Sequence, residues 1–310
     1  MMEQRRNVSK KSNNQHIRAR KSRHFPTVKL FILLIAFCVG AWFFLNYISA
    51  NDSGHDIPIR PFNISESTQT GSQILTYEQL SEMNNNQLLL INSDYKIPYD
   101  LSDGLVKVLD YVRTLNTDNL LNKDALLMLK EMFDSAADAG YNEFRVTDGY
   151  RTHECQKSLY DSIENKSLVA LPGHSEHQTG LAADISYNGV NIENSKQGTW
   201  LADNSYKYGF ILRYPKNKED ITKIPYEAWH YRYVGQPHAH YCYKNDLCFE
   251  EYIDYLKKHK EIITTVNKVE YKIYYLSGNN ETIEIPENYW YSVSLDNTGG
   301  IIVTASIYSK

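Results

Sequence analysis

Four side chains in two separated segments could together bind and use a metal ion. His177 and Asp184 lie in the segment LPGHSEHQTGLAAD, and Glu227 and His230 lie in the segment YEAWH. Two imidazoles and a carboxylate suit a catalytic zinc ion, because three protein ligands leave one coordination position for water. A neighbouring glutamate could then accept a proton from that water. These residue types predict a zinc hydrolase with His177, Asp184 and His230 as metal ligands and Glu227 as general base.

Spacing alone does not establish such a site, because the chain contains ten histidines and 37 acidic residues. Further motifs follow one another in order between residues 88 and 235. They are GYR at 149–151, Gln156, PGHSEHQTGLAAD at 172–184, YGFILRYP at 208–215 and HYRYVG at 230–235. Together these motifs resemble the VanY-type zinc D-alanyl-D-alanine carboxypeptidases. The chain departs from the family at Ala228, where the family commonly has proline, but this change removes no ligand.

The resemblance implies an enzyme that removes the C-terminal D-alanine from the pentapeptide stems of peptidoglycan or of its precursor, with Zn²⁺ as cofactor. Arg151 would bind the substrate and stabilise the oxyanion, because a planar guanidinium suits a carboxylate or a developing negative charge. Gln156 and Ser175 match substrate-binding positions of the family. Loss of the terminal D-alanine would also deplete the target of glycopeptide antibiotics, so the family implies a role in vancomycin resistance.

Two other functions remain open. L,D-carboxypeptidases, which trim tetrapeptide stems, have nearly the same motifs. A non-catalytic peptidoglycan-binding protein could retain the fold and lack the chemistry. The three ligands and Glu227 are all present, which favours an enzyme over a binding protein, and we expect D,D rather than L,D activity.

The first 48 residues differ in character from the rest of the chain. Residues 1–29 contain nine Lys and Arg and one acidic residue, and residues 30–48 contain no charge. An apolar run of this length is close to the roughly 20 residues that cross a bilayer. The basic flank predicts a cytoplasmic N-terminus, a single-pass anchor in the cell membrane and an extracellular catalytic domain. A signal peptide cleaved near Ala50 is the alternative, although the long basic segment favours an uncleaved anchor.

Composition and motifs divide the chain into five predicted segments. These are a basic cytoplasmic tail at 1–29, a transmembrane anchor at 30–48, a polar linker at 49–80, the zinc carboxypeptidase domain at 81–260 and a small β extension at 261–310. We favour a structural role for the extension over wall binding. We expect no nucleic-acid partner, and the sequence does not indicate an oligomeric state.

The pattern of elements predicts an α+β fold, in which a small antiparallel sheet has flanking helices. The resemblance implies the Hedgehog/D,D-peptidase-like form of that fold. We predict strands at 88–91, 144–148, 181–187 and 210–214, helices at 122–140, 153–165, 199–208 and 247–260, and further short strands after residue 269. Glu227 and His230 are three residues apart and would lie on opposite faces of a regular strand. The chain must therefore bend between them if both reach the metal.

Other histidines and cysteines are weaker candidates for chemistry. His174 is expected beside the metal site rather than in it, because a fourth protein ligand would occupy the position of water. His238 and His240 would face the same way on a strand and could bind a metal, but no carboxylate is evidently paired with them. Cys242 and Cys248 could form a disulfide in an exported domain or remain free thiols.

Overall fold

The computed structural model describes residues 72–99, 101–166, 169–287 and 289–307. The predicted basic tail and transmembrane anchor lie outside these ranges, as do residues 49–71 of the predicted linker. Within the described ranges, no helix combines the length and apolar character that a membrane span requires.

The described strands, in chain order, are β1 (Gln73–Thr76), β2 (Leu105–Lys107), β3 (Leu120–Asn122), β4 (Phe144–Asp148), β5 (Ala182–Tyr187), β6 (Phe210–Leu212), β7 (His230–Tyr233), β8 (Glu261–Val266), β9 (Val269–Leu276), β10 (Thr282–Ile285), β11 (Tyr289–Leu295) and β12 (Ile301–Ile307). The described α-helices are α1 (Tyr77–Glu82), α2 (Lys123–Asp138), α3 (His153–Ser162), α4 (Lys196–Asn204), α5 (Glu219–Thr222), α6 (His238–Lys244) and α7 (Phe249–His259). This mixture of helices and small antiparallel sheets confirms the predicted α+β class.

A central antiparallel sheet carries the residues of interest, with β4, β5, β7 and β6 side by side in that order. Strands predicted at 144–148, 181–187 and 210–214 are all present, and β5 begins and β6 ends slightly inside the predicted limits. Val146 and Ile185 are opposite each other in β4 and β5, and both are fully buried. Their alternation with less buried neighbours leaves the other face of the sheet for polar side chains.

Helix α2 supports this sheet. Asn122 is its N-cap, and the side chain of Asn122 accepts hydrogen bonds from the backbone N–H groups of Asp124 and Ala125. Its apolar side chains pack in one core with the buried residues of the sheet, and each leucine, methionine or phenylalanine contributes about 1.5–3 kcal/mol through burial. The buried residues of this helix are Ala125, Leu126, Met128, Leu129, Met132, Phe133 and Ala136. The predicted helix at 122–140 is confirmed as scaffold.

The C-terminal strands form a second antiparallel sheet in the order β11, β12, β9 and β8. Strand β1 pairs with β10, and the buried Leu75 and Leu80 join the core of this sheet. Residues 73–80 are therefore folded, and the predicted linker is wrong in that part. Its assignment followed the polar composition before residue 73, whereas these two leucines bury apolar surface against distant strands.

The segment at 88–91 is not a strand, contrary to the prediction. Its side chains are buried, but its backbone groups bond to distant residues instead of forming a ladder. The N–H of Leu88 donates to Ser294 Oγ at 2.8 Å, and the N–H of Leu90 donates to the carbonyl of Asp296 at 3.0 Å. A buried apolar run alone does not distinguish a strand from an irregular segment fixed by tertiary hydrogen bonds.

Three predicted helices have different limits. Helix α3 stops at Ser162, because the backbone of Ile163 is extended. Helix α4 begins before residue 199, because the side chain of Ser195 accepts from the N–H of Gly198 as an N-cap, and a 3₁₀ turn at Ser205–Tyr208 follows it. Helix α7 at Phe249–His259 lies within the predicted 247–260.

The structure corrects the strand expected at His238 and His240 and resolves the open state of Cys242 and Cys248. His238 and His240 lie on helix α6, so they do not share the face that a strand would give them. The imidazole of the buried His238 lies between the hydroxyls of Tyr252 and Thr304, at 2.7 and 2.9 Å. Cys242 and Cys248 are both buried free thiols, so no bridge joins them.

Candidate metal centre

Strand register brings Asp184 and His230 together. These residues are direct partners in the antiparallel pair of β5 and β7. Opposite residues of an antiparallel pair project from the same face with their Cβ atoms about 4.5–5.5 Å apart. The two side chains therefore meet above the sheet although 46 positions separate them in the sequence.

A tight turn places His177 beside this pair. Residues Glu176–Thr179 form a 3₁₀ turn that ends at Gly180, whose φ of 70° lies in the left-handed region. A Cβ atom at Gly180 would lie 2.5 Å from Leu105 Cδ2, so the turn requires glycine for its conformation and for space. The chain reverses there and enters β5, which leaves His177 close to Asp184.

The possible ligand atoms of His177, Asp184 and His230 all lie within 4.8 Å of one another. Asp184 Oδ1 is 3.4 Å from His177 Nε2 and 3.0 Å from His230 Nδ1. Burial opposes ionisation of Asp184, but the two imidazoles outweigh it and hold the pKa of this carboxyl well below its ordinary value. The structure thus brings the three predicted ligands into one cluster.

Hydrogen bonds on the far side of each imidazole orient its ring. His177 Nδ1 donates a hydrogen bond to the carbonyl oxygen of Gly149 at 2.7 Å, which leaves Nε2 facing Asp184. His230 presents Nδ1 to Asp184, and its Nε2 lies 3.4 Å from Glu176 Oε2. Backbone carbonyls and carboxylates commonly orient metal-binding histidines in this way.

The predicted bend between Glu227 and His230 is present. Ala228 and Trp229 form a turn, and β7 begins only at His230. Glu227 Oε2 consequently lies 3.8 Å from His230 Nδ1, on the same side as the ligands. Burial raises the pKa of Glu227 above its ordinary value, and this effect outweighs the opposing influence of His230. A carboxylate with a raised pKa is a stronger proton acceptor, as a general base requires.

Arg151 lies at the edge of the cluster. Its guanidinium binds Asp148 Oδ2 through Nε at 2.9 Å and NH2 at 2.7 Å, and NH2 is 3.9 Å from Asp184 Oδ2. Gln156 is fully buried behind it and accepts a hydrogen bond from Arg151 NH1 at 3.1 Å. The structure therefore places Gln156 in contact with the predicted substrate-binding arginine.

Ser175 and His174 precede the metal-binding turn. Ser175 is buried, and its carbonyl oxygen accepts a hydrogen bond from the N–H of Gln178 at 3.1 Å. His174 Nδ1 lies 2.7 Å from the carbonyl oxygen of Asn92. His174 is absent from the ligand cluster, in agreement with its predicted place beside the site.

Glu176 is a site residue that the sequence reasoning missed. Its side chain is buried, and Oε1 accepts from Arg213 Nε at 2.8 Å and from Arg232 NH1 at 2.9 Å. Burial alone would raise the pKa of Glu176, but the two guanidinium groups and His230 hold it well below its ordinary value. The sequence does show a glutamate beside a ligand histidine, and it shows two arginines in β-rich segments. Only the tertiary fold brings these three side chains into contact.

Acidification is expected to destabilise the fold through Glu250, which binds Arg213 with both carboxylate oxygens. Burial opposes ionisation, but Arg213 outweighs it and lowers the pKa of Glu250 below its ordinary 4.5. Because the folded pKa is lower, this carboxylate stabilises the fold fully above the unfolded pKa, and the contribution is lost as the pH falls through the folded pKa. The free energy of urea unfolding should decrease from about pH 6 to about pH 3 less steeply in Glu250→Gln than in the wild type. Equal slopes would refute this role.

The residues of the cluster fit a zinc ion. Asp184 Oδ1 is buried and has no hydrogen-bond partner of good geometry, so a cation would satisfy it. His177 Nε2 and His230 Nδ1 supply two nitrogen donors whose rings are already oriented. Two nitrogens and one carboxylate oxygen form a donor set of a catalytic zinc site, with a position left for water.

Known proteins are similar to this chain in both sequence and fold. The family model of VanY, D-alanyl-D-alanine carboxypeptidase, matches residues 118–236. A D-alanyl-D-alanine carboxypeptidase of Enterococcus faecium is 38% identical over 251 residues, which are 78% of this chain and 81% of that protein.

Two solved structures extend this likeness. The vancomycin resistance D,D-dipeptidase VanXYg, in complex with a D-Ala-D-Ala phosphinate analogue, superposes with a TM-score of 0.66 at 31% identity, over 76% of this chain and 98% of that one. The LD-carboxypeptidase LdcB superposes with a TM-score of 0.50 at 43% identity, over 54% of this chain and 86% of that one. With identity and coverage of this extent around a site of this composition, the chain belongs to the VanY family of D-alanyl-D-alanine carboxypeptidases.

Proposed function

We propose that this protein is a zinc-dependent D,D-carboxypeptidase that removes the terminal D-alanine from pentapeptide stems of peptidoglycan or of its precursor. The observation that carries this proposal is the cluster of His177, Asp184 and His230 with Glu227 beside it. The four side chains come from three separate segments, which are the turn that holds His177, strand β5 and the bend that leads into β7. The complete set of ligands and base argues against a binding protein that has lost its chemistry.

Different residues of the chain have different roles in peptide hydrolysis. A zinc ion bound by His177, Asp184 and His230 supplies the Lewis acidity that makes water nucleophilic near neutral pH. Glu227 accepts the proton of the attacking water and then donates it to the nitrogen of the leaving D-alanine. Its raised pKa suits both transfers, because the group must gain a proton readily and lose it again.

Arg151 contributes positive charge where the substrate is negative. Its guanidinium, held by Asp148 and supported from behind by Gln156, binds the substrate carboxylate or the oxyanion that forms during attack. Gln156 assists by fixing the orientation of this guanidinium. Ser175 is proposed as a further substrate contact because of its family position, and it lies two residues before the first ligand.

D,D specificity is proposed on the character of the relatives. The E. faecium relative carries the D-alanyl-D-alanine carboxypeptidase name, and the VanXYg structure covers 76% of this chain. This share of the chain is larger than the predicted carboxypeptidase domain at 81–260, so the similarity to VanXYg includes residues outside that domain. The LdcB structure covers 54% of the chain and is named for LD-carboxypeptidase activity, which supports trimming of tetrapeptides as the second candidate.

Mass spectrometry of defined peptides should separate these activities. The full chain, purified in detergent, is incubated with a stem pentapeptide ending in D-Ala-D-Ala and with the corresponding tetrapeptide. We expect release of D-alanine from the pentapeptide, loss of this release after chelation, and its return when zinc is added. Release from the tetrapeptide alone would select L,D activity, and zinc-dependent binding without release would identify a non-catalytic protein.

The location and the biological role are proposed from the sequence and the family. The uncharged run at 30–48 and its basic flank support a single membrane anchor with the catalytic domain outside the cell. An external enzyme of this kind would reach stem peptides and remove the D-Ala-D-Ala end that glycopeptides bind. Protease treatment of intact cells should degrade the C-terminal region and spare the N-terminal tail; the reverse pattern would refute the orientation.

A further inference from the structure

We propose that Asn297 is a positioning residue for substrate binding. It holds the bracing segment, residues 90–97, and through it the approach segment, residues 170–175, which leads into the metal-binding turn. Asn297 lies in the turn between β11 and β12, within the predicted extension at 261–310. The inference rests on the proposed function and gives this extension a part in the reaction.

The turn between β11 and β12 is fixed by Asp296, a fully buried residue. Asp296 Oδ1 accepts from the backbone N–H groups of Thr298 and Gly300 at 2.7 and 2.9 Å. Asp296 Oδ2 accepts from the hydroxyls of Tyr275 and Thr298 at 2.8 and 2.6 Å. These hydrogen bonds to one carboxylate hold the turn in a single conformation, in which Asn297 has a φ of 66°.

Asn297 joins the two ends of the bracing segment. Its side-chain Nδ2 donates to the carbonyl oxygen of Leu90 at 3.0 Å and to that of Lys96 at 2.8 Å. The N–H of Leu90 donates to the carbonyl oxygen of Asp296 at 3.0 Å. The bracing segment is not part of a strand, so these bonds to the turn replace the support that a sheet would give it.

The bracing segment holds the approach segment at two points. The N–H of Ile97 donates to the carbonyl oxygen of Gly173 at 2.7 Å. His174 Nδ1 lies 2.7 Å from the carbonyl oxygen of Asn92. The approach segment is thus attached to a part of the chain that Asn297 fixes.

The approach segment contacts the predicted substrate-binding side chains through Gln156. The carbonyl oxygen of Ala170 accepts from Gln156 Nε2 at 2.8 Å, and Gln156 Oε1 accepts from Arg151 NH1 at 3.1 Å. Ser175, the other proposed substrate contact, is the last residue of the segment. Displacement of the approach segment would therefore disturb substrate binding, whereas the pairing of β5 with β7 still holds two of the metal ligands together.

Asn297→Gly removes the side-chain amide and preserves the turn, because glycine adopts a positive φ without strain. We expect KM for the pentapeptide to rise by about 10–100-fold, the range for a weakened hydrogen bond to a charged group. We expect kcat and the zinc affinity to stay near the wild-type values. Initial rates of D-alanine release by the full chain, with zinc competition against a chelator on the same sample, measure these quantities.

Asn267→Gly is the matched control. Asn267 is an exposed asparagine in the turn between β8 and β9 of the same sheet, and its φ of 49° is also positive. Its KM should equal that of the wild type. An equal KM in Asn297→Gly and Asn267→Gly would overturn the inference alone, as would a loss of zinc affinity in Asn297→Gly that parallels the rise in KM. A wild type that releases no D-alanine would overturn the proposed function instead.

Hydrogen exchange keeps the inference testable if Asn297→Gly does not fold. In the wild-type full chain, the backbone amides of Leu90 and Ile97 are expected to exchange as slowly as those of β12, because both are held by the contacts described above. Asn297→Asp retains the shape of the side chain and removes its donor, so these two amides should exchange faster while those of helix α2 do not change. Rapid exchange at Leu90 and Ile97 in the wild type, or no difference in Asn297→Asp, would refute the role of Asn297.

Discussion

Glu227→Ala is expected to lower kcat for D-alanine release by about 10²–10⁴-fold, the contribution of a general base. Glu227 lies 3.8 Å from His230 Nδ1 but is not part of the ligand cluster. The variant should therefore retain zinc while losing the group that accepts the proton of water. Single-turnover rates on the pentapeptide, together with metal analysis of the same sample, test both expectations.

Glu219→Ala is a suitable control, because Glu219 is an exposed glutamate of the same segment, at the start of helix α5. Its rate should equal that of the wild type. A Glu227→Ala enzyme that retains its rate would show that another group removes the proton. One that loses zinc as well would show that Glu227 supports the metal rather than the proton transfer.

His177→Ala is expected to abolish zinc binding and, with it, peptide hydrolysis. His177 Nε2 faces Asp184 Oδ1 at 3.4 Å, and its removal leaves one imidazole and one carboxylate for the ion. Loss of an orienting group costs about 10–100-fold in affinity, so loss of a ligand itself should exceed about 100-fold. The zinc affinity, measured by competition with a chelator, and the rate of D-alanine release should fall together.

His174, another histidine of the same motif, provides a control for the loss of His177. His174→Ala removes an imidazole three residues away, whose Nδ1 contacts the carbonyl oxygen of Asn92. Zinc affinity should stay near the wild-type value in this variant. If His174→Ala lost zinc and His177→Ala retained it, the ligand assignment would be wrong.

Much of the site could be predicted from residue types in sequence order. The sequence places Gly180 between the candidate ligands His177 and Asp184, and the structure shows a turn there, with this glycine in a left-handed conformation against Leu105. Because Glu227 and His230 are three residues apart, the sequence predicted a bend between them. The structure shows this bend at Ala228 and Trp229. Local geometry set by a few residues is a property that a sequence expresses directly.

Other features could not be predicted, because they depend on partners far away in the chain. The segment at 88–91 reads as a strand by composition, but its backbone bonds to Ser294 and Asp296. Residues 73–80 read as a linker, but Leu75 and Leu80 complete the core of the C-terminal sheet. Hydrophobic periodicity is a property of one segment, and it does not identify the distant residues against which that segment packs.

The sequence by itself determined the chemistry of this protein: its candidate ligands, a base and the family whose motifs it shares. The tertiary structure decided the arrangement that makes these groups a site. Strand register set Asp184 against His230, and the buried arginines turned Glu176 from an ordinary acidic residue into a partner of a ligand. The physical reason is that side-chain chemistry is a property of each residue, whereas distance, burial and hydrogen-bond partners belong to the folded chain.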